Sequence, residues 1–467
     1  MRVRESSGKG AVPGRAVRAA PAGVAVLVVL GMVALATAEG AAPRLGVELT
    51  PVGAERAGNA EGTIPDWTGG VTQKPAGWEP GMPRVDVFAG DEPLFSIDAS
   101  NVEQHADELT EGQLALIRSY EGYRMDVYPS RRSCALPEAI YADVKQNATT
   151  ARVDESCNLV AGIRSPLFPL PKTGCEAIWN GKLAVFNGII GYDRIEATVV
   201  PTAGGNFVPS RRRQILYFRL NEPDYASYED LDGILAKSLS QTISPPKSAG
   251  EITLVHALAT GSLRAWIYNP GQRRVRRAPN FEYDNPVPGW QGLVTVDQVN
   301  GFVGAGDRYD WKLLGKRELY VPYNNTRVQD KSLRYEDIIG PRFPRRDLVR
   351  YELHRVWVVE ANVRSDRRHV MPRRVFYLDE DSWLVVLSDG YDRRDRIWRV
   401  TEHLPELIYE IPSCISNTSF YYDLVAGRYV ASPLFNQEEE SDYLAGHTGK
   451  VKDDGFTPDD VRRLGRR

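Results

Sequence analysis

Much of what this sequence says lies in what it lacks. Its 467 residues include only four cysteines and six histidines. No two cysteines form a C-x-x-C pair and the histidines are scattered, so no zinc framework is present and no metal site is expected. No G-x-S-x-G, H-E-x-x-H or nucleotide-binding glycine pattern occurs, which leaves a serine-hydrolase elbow, a zincin helix and a cofactor-binding turn without support. Gly304-Ala305-Gly306 is not a phosphate loop, because no Lys-Ser/Thr pair follows and no strand closely precedes it. Positive charge is not in excess: 58 Lys and Arg stand against 61 Asp and Glu, which argues against a general nucleic-acid binder. Past the first forty residues no apolar run is long enough to span a bilayer. No catalytic residue and no cofactor is therefore assigned.

What is present begins at the N-terminus. A basic region from Arg2 to Arg18 precedes an apolar run from Ala22 to Leu35 and then Ala36-Thr37-Ala38. This is the pattern of a secretory signal peptide over residues 1–38, cleaved between Ala38 and Glu39. Residues 1–38 hold five basic residues and one acid, so cleavage would leave 53 basic against 60 acidic residues, a balance of −7. An exported, periplasmic protein is expected, peripheral to a membrane at most. The cysteines suit such an oxidising compartment. Four cysteines allow three pairings, and Cys134–Cys157 with Cys175–Cys414 is the favoured one, a local loop plus a long-range tie.

A composition of 42% hydrophobic and 25% charged residues belongs to a globular chain rather than a disordered one. The stretch Arg350–Val400 organises it. Tyr351, Leu353, Trp357 and Val359 alternate with more polar positions. Val375-Phe376-Tyr377-Leu378, Trp383-Leu384-Val385-Val386-Leu387 and Ile397-Trp398-Arg399-Val400 follow, separated by Asp379-Glu380-Asp381 and Ser388-Asp389-Gly390. Such runs predict an antiparallel meander. Every position in 383–387 is apolar, so both faces of that strand need a cover.

The remaining segments arrange themselves around this meander. Residues 39–100 read as an extended segment anchored by Ile64 and Trp67. Residues 101–190 read as helical, with a capping box at Thr110-Glu111-Gly112-Gln113, a helix opening at Pro137-Glu138 and another from Gly174. Residues 191–435 form the sheet with long loops, in which 229–250 reads as a weakly helical lid. Residues 436–467 read as an acidic tail. The span 39–435 is expected to be one structural domain.

The segment 49–70, Tyr128-Pro129-Ser130-Arg131-Arg132-Ser133, Gly174-Cys175-Glu176-Ala177-Ile178-Trp179-Asn180, Tyr377-Leu378-Asp379-Glu380-Asp381-Ser382-Trp383 and Tyr421-Tyr422-Asp423-Leu424 together resemble the DUF1329 family of exported Gram-negative proteins, which this chain departs from mainly in its cysteines. The resemblance implies a lipoprotein-carrier (LolA/LolB-like) fold. That is an α+β architecture, a large curved antiparallel sheet forming an unclosed half-barrel with helices over its concave face. It further implies association with envelope transport, with an exporter of the resistance-nodulation-division type and an outer-membrane protein as partners.

Candidate site residues follow. Trp266, Tyr268, Trp357, Phe376, Trp383 and Trp398 all fall on predicted strands and are expected to line an apolar cavity. Arg273, Arg274, Arg276 and Arg277 follow a Pro-Gly turn. They read either as a charge-protected edge strand or as a contact for acidic lipid headgroups or a partner. Asp379-Glu380-Asp381 reads as an exposed hairpin turn, and His354, His369 and His403 as paired or exposed histidines rather than general bases. The expected function is that of a non-enzymatic periplasmic carrier or accessory factor in envelope or outer-membrane transport, binding a lipid or other hydrophobic molecule. The alternatives are a scaffolding subunit without a cavity and a hydrolase.

Overall fold

The alternating stretch from Arg350 onward folds as a meander, and the other strands extend the same sheet on either side of it. The computed structural model describes residues 44–279 and 281–466; the expected cleavage site at Ala38–Glu39 lies outside them.

Two short strands, β1 (Phe95–Ile97) and β2 (Met125–Val127), bracket helix α1 (Glu111–Ser119). Helix α2 (Glu138–Thr150), the small hairpin of β3 (Arg152–Val153) and β4 (Leu159–Ala161), and helix α3 (Gly174–Ala184) come next. Six strands follow: β5 (Gly191–Val199), β6 (Ser210–Tyr217), β7 (Ile234–Ser244), β8 (Ile252–Leu258), β9 (Leu263–Asn269) and β10 (Arg274–Ala278). A long loop leads to β11 (Tyr309–Pro322) and the single turn α4 (Tyr335–Ile338). The meander is β12 (Arg350–Val363), β13 (Arg373–Asp379), β14 (Val385–Tyr391) and β15 (Ile397–Ile408), continued by β16 (Ser413–Asp423) and β17 (Arg428–Leu434). Helix α5 (Pro458–Leu464) ends the described chain.

Fifteen of these strands form one open sheet, in the order β1-β2-β12-β13-β14-β15-β16-β17-β5-β6-β7-β8-β9-β10, with β11 also paired to β12. All its pairs are antiparallel except β2 with β12. The sheet does not close: β10 is its last strand. This is the α+β, unclosed-sheet class that the sequence predicts.

The wholly apolar segment 383–387 is covered from both sides. Helix α3 lies on the face of Leu378 and Val385. It approaches closely because two of its residues have no side chain: a Cβ at Gly181 would meet Leu378 and Val385 at 2.9 and 3.0 Å, and one at Gly174 would meet the Lys312 backbone at 2.7 Å. Helix α1 takes the opposite face, with the predicted capping box of Thr110 and Gln113 at its start. Its Leu116 and Ile117 pack with Val400, Phe420 and Tyr422. A bulge between Tyr377 and Leu378 reverses the facing of β14 within one pair and lets both helices find apolar partners.

Four expectations need correction. Residues 234–244, read as part of a helical lid, are strand β7; the Leu235–Leu239 spacing mimics a helix, but pairing to β6 and β8 decides. Trp383 is not on a strand. It occupies the left-handed region (φ 63°) in the turn before β14, and Ser388-Asp389-Gly390 continues β14 instead of breaking it. The tail 436–467 is packed, with Tyr443, Ala445, Val451, Phe456 and Val461 buried. Finally, the disulfides are Cys134–Cys414 and Cys157–Cys175, not Cys134–Cys157 and Cys175–Cys414. The segment before Cys134 is tied to β12, through Tyr128 N–H to the Tyr351 carbonyl (2.8 Å) and Ser130 Oγ to the Leu353 carbonyl (2.7 Å). That carries Cys134 to β16 and leaves Cys157 beside the start of α3.

Candidate functional site

Three of the segments that resemble the DUF1329 pattern converge on one buried polar node. Arg132 donates to both carboxylate oxygens of Asp381 (2.9 and 2.7 Å) and to Glu380 (3.3 Å). Its other N–H groups reach the carbonyls of Glu55 (2.7 Å) and Arg56 (3.2 Å). Arg355 bonds Glu380 (3.0 Å) and the Ala57 carbonyl (2.9 Å), and Trp383 Nε1 donates to the Val52 carbonyl (2.9 Å). The node therefore clamps the N-terminal segment across the sheet as a strap. Asp379, Glu380 and Asp381 are buried, so the expectation of an exposed acidic turn is wrong. The turn is buried because the guanidinium groups of Arg132 and Arg355 replace water around its carboxylates, and the strap's backbone carbonyls take up their remaining N–H groups.

His354 sits inside this node, stacked on Tyr323 with ring centroids 3.9 Å apart. Its Nε2 meets Glu352 at 3.1 Å and its Nδ1 lies 3.5 Å from Asp379. Burial opposes its charge, but the two carboxylates lift its pKa to about 9, so at neutral pH it is an imidazolium and no general base. One ligand atom each of His354, Asp379 and Asp381 lies within 4.8 Å of the others. Asp381 already accepts from Arg132, and Asp379 Oδ2 accepts from Ser382 Oγ and N–H (2.6 and 2.9 Å) and from Tyr323 (3.2 Å), while Asp379 Oδ1 faces His354 as an ion pair without a hydrogen bond. The cluster thus reads as a structural clamp. His369 bonds Asp297 (2.8 Å) and His403 bonds Ser419 (2.7 Å), both buried. Burial drives His403 down to about 3, so it stays neutral.

The six aromatic candidates do not share one surface. Trp357 stacks on Trp383 (6.0 Å between centroids), and Phe376 packs on Phe302 and Trp311 (5.8 Å each), all within the main core beneath α3. Trp266 and Tyr268 belong to a separate cluster under α5, where the Tyr268 hydroxyl donates to the Gly465 carbonyl at 2.5 Å. Trp398 lies apart and donates to Asp423 (3.0 Å).

A half-buried stretch of sheet face lies on β6–β10, beside Ala236 and Ala265, which are buried on the same face. Strand β8 shows why. Ile252 and Leu254 point into the cluster with Phe456, Val461 and the other residues of the C-terminal segment, while Thr253 and Val255 point the other way and are half-buried. The pairing register extends this face as a row, Gln214–Ser240–Thr253–Ile267–Arg276, and beside it Ser238 pairs with Val255. Among the described residues, helix α5 packs on β8, β9 and β10, on the side of Leu254, Trp266 and Tyr268. The row ends at the edge strand β10, where Arg273, Arg274, Arg276 and Arg277 are exposed and form no ion pair or side-chain hydrogen bond among the described residues. Sequence reasoning placed Arg274, Arg276 and Arg277 correctly on the second strand of a hairpin, with Arg273 falling in the turn before it, but missed Ser238, Ser240, Thr253 and Val255. The alternation Ile252-Thr253-Leu254-Val255 was the available sign.

Two described clefts lie elsewhere. One of about 320 Å³ is formed by the loop 340–345, and one of about 260 Å³ lies between α2 and the segment 168–176.

An uncharacterized protein of Pseudomonas aeruginosa is 37% identical over 429 residues, 91% of this chain and 93% of the relative. Among solved structures, a domain described as an outer membrane lipoprotein-sorting protein from Vibrio parahaemolyticus aligns with a TM-score of 0.41 at 13% identity, over 62% of this chain and 97% of that one. A DUF1329 family protein from Desulfovibrio piger gives 0.39 at 14%, over 59% and 95%. A LolA superfamily protein from Nitrosomonas europaea gives 0.36 at 11%, over 62% and 99%. The family described as "Protein of unknown function (DUF1329)" matches residues 96–462. With that span, and with a relative so similar over nearly its whole length, the chain belongs to the DUF1329 family.

Proposed function

We propose that this protein is a non-enzymatic binding protein of the cell envelope that holds a lipid-like or otherwise hydrophobic molecule against the uncovered face of β6–β10. The observation that carries this reading is the difference in cover along a single sheet. Around Trp383 both faces are filled by protein, whereas the face of Ser240, Thr253, Val255 and Ile267 is half-exposed, relatively flat in side-chain size and partly aliphatic. Such a face gains by burial, at about 25 cal/mol per Å² of apolar area removed from water, and small side chains let a ligand lie close to the backbone. In this reading the protein is exported and acts as a carrier or accessory factor, passing its ligand to an exporter of the resistance-nodulation-division type or to an outer-membrane protein. No chemical step is needed.

The test is binding of a fluorescent fatty acid together with native mass spectrometry of protein purified from its own host. Co-purifying apolar molecule and saturable probe binding are expected, and Val255→Asp and Thr253→Trp should each weaken probe binding at least several-fold without unfolding the chain. A ligand-free protein that binds no probe would overturn the reading. It would favour a scaffolding subunit instead, which the solid packing around Trp383, Phe376 and Trp179 also fits.

A further inference from the structure

The arginine edge has no role in holding the fold together. Arg274, Arg276 and Arg277 lie on β10, Arg273 lies in the turn before it, Arg264 is on the neighbouring β9, and Arg466 follows α5; all six are exposed. None of their side chains has a hydrogen-bond or ion-pair partner among the described residues. Some exposed arginines elsewhere are held, Arg213 by Asp193 (2.6 Å), Arg118 by Glu103 (2.6 Å) and Arg396 by Asp392 (2.7 Å), and others such as Arg152, Arg342 and Arg394 stand alone; this edge differs in gathering six of them on one hairpin and the neighbouring C-terminal residues. The acids nearest in sequence on α5 are already used, since Asp459 pairs with Arg462 (2.5 Å) and Asp460 with Arg463 within the same helix. One end of a net-acidic chain thus carries an uncompensated group of guanidinium charges.

Their arrangement adds to this. Because β10 ends the sheet, its side chains splay to either side of a free edge. Register places Arg276 opposite Ile267, facing the uncovered side, and Arg277 opposite Trp266, facing the α5 side. An anionic plane meeting the sheet edge-on would touch both rows at once. Guarding an edge against other strands needs only a charge or two; six unpaired arginines on both sides of one exceed that need. Guanidinium forks also match phosphate oxygens in geometry.

We propose that the protein docks edge-on, through β10 and its flanking arginines, onto a bilayer surface containing anionic phospholipid. The row Gln214–Ser240–Thr253–Ile267–Arg276 would then lead from the sheet interior to the headgroup plane. Docking needs no ligand on the uncovered face, so it stands or falls apart from the binding function proposed above.

Vesicle flotation of the mature chain tests it, with vesicles of phosphatidylcholine alone and of phosphatidylcholine mixed with phosphatidylglycerol. Binding is expected only to the mixed vesicles. It should fall steeply as salt shortens the Debye length, and each arginine replaced should reduce partitioning about fivefold. The quadruple variant R273E/R274E/R276E/R277E should not float, while the quadruple lysine variant should retain most of the binding and R118E all of it. Circular dichroism and an unchanged urea-unfolding midpoint would show that the glutamate variant is folded. Equal flotation on both vesicles, flotation on neither, or full binding by a folded glutamate variant would each overturn the proposal.

Discussion

The two ends of this sheet are built on different terms. From β12 to β17, strands are largely buried on both faces, between α3 and the strap on one side and α1 and its neighbours on the other; Leu378, Trp383, Val386 and Leu387 are fully buried. From β6 to β10, one face packs on the C-terminal segment and the other is left half-exposed. A sheet covered twice must be nearly continuous in apolar residues, as 383–387 is. A sheet covered once alternates, as Ile252 to Val255 do. The comparison shows where stability resides and where the protein can still make contacts.

The largest effect expected is from the long-range disulfide. Cys134–Cys414 joins residues 280 apart and ties the strap's base into the doubly covered half, while Cys157–Cys175 spans 18. Chain-entropy arguments give about 5 kcal/mol for the first and about 3 kcal/mol for the second. Replacing each pair by serines and measuring urea unfolding should therefore destabilise the first variant more; equal losses would contradict the view that the strap belongs to the stable half.

Next come single truncations on the two sides of the comparison. Leu387→Ala, in the doubly covered half, should lower unfolding free energy by about 2–5 kcal/mol. Val255→Ala, on the uncovered face, should lower it by less than about 1 kcal/mol. Similar values for both would mean that the β6–β10 face is covered in solution.

The smallest and most specific effect concerns pH. Asp389 lies between β14 and α1, where it accepts from the Gly112 N–H (3.0 Å) and the Tyr377 hydroxyl (3.3 Å). Burial nonetheless pushes its pKa up to about 7. The folded state thus holds this proton more tightly than the unfolded chain does, with its ordinary carboxyl value of about 4. The contribution to stability is fully present below about 4 and is lost as pH rises through about 7. Asp389→Asn should flatten the stability–pH curve in that window. Wild-type stability that instead rises there relative to the variant would show Asp389 ionised in the fold.

Local features of the fold were legible and distant ones were not. The meander, the Thr110–Gln113 capping box and the hairpin carrying Arg273 to Arg277 all depend on neighbouring residues, and their patterns are visible in the sequence. The burial of Asp379-Glu380-Asp381 depends on Arg132, 249 residues from Asp381, and nothing local distinguishes a clamped acidic turn from a solvated one. Strand β7 was hidden because Leu235 and Leu239 have helical spacing, and only its partners β6 and β8 settle it. The candidate surface was missed for a different reason: Ser238, Ser240 and Thr253 look like ordinary solvent-facing positions until the sheet shows that they form one row. The motif segments pointed to a shared place, but that place proved to be the strap's anchor rather than a ligand cavity.

The strap also sets an order of events. Its anchors are Arg132 with Asp381, Arg355 with the Ala57 carbonyl and Trp383 with the Val52 carbonyl, so residues near the start of the described chain wait for partners more than 240 positions later. Contacts of such sequence separation are slow to form. The strap can close only after the meander exists, and until then Trp383 and the buried acids stand open to water. Completion of this fold is therefore a late, whole-chain event, and a chain stalled before residue 383 would lack both the Trp383 anchor of the strap and the later residues that α1 and β8 pack against.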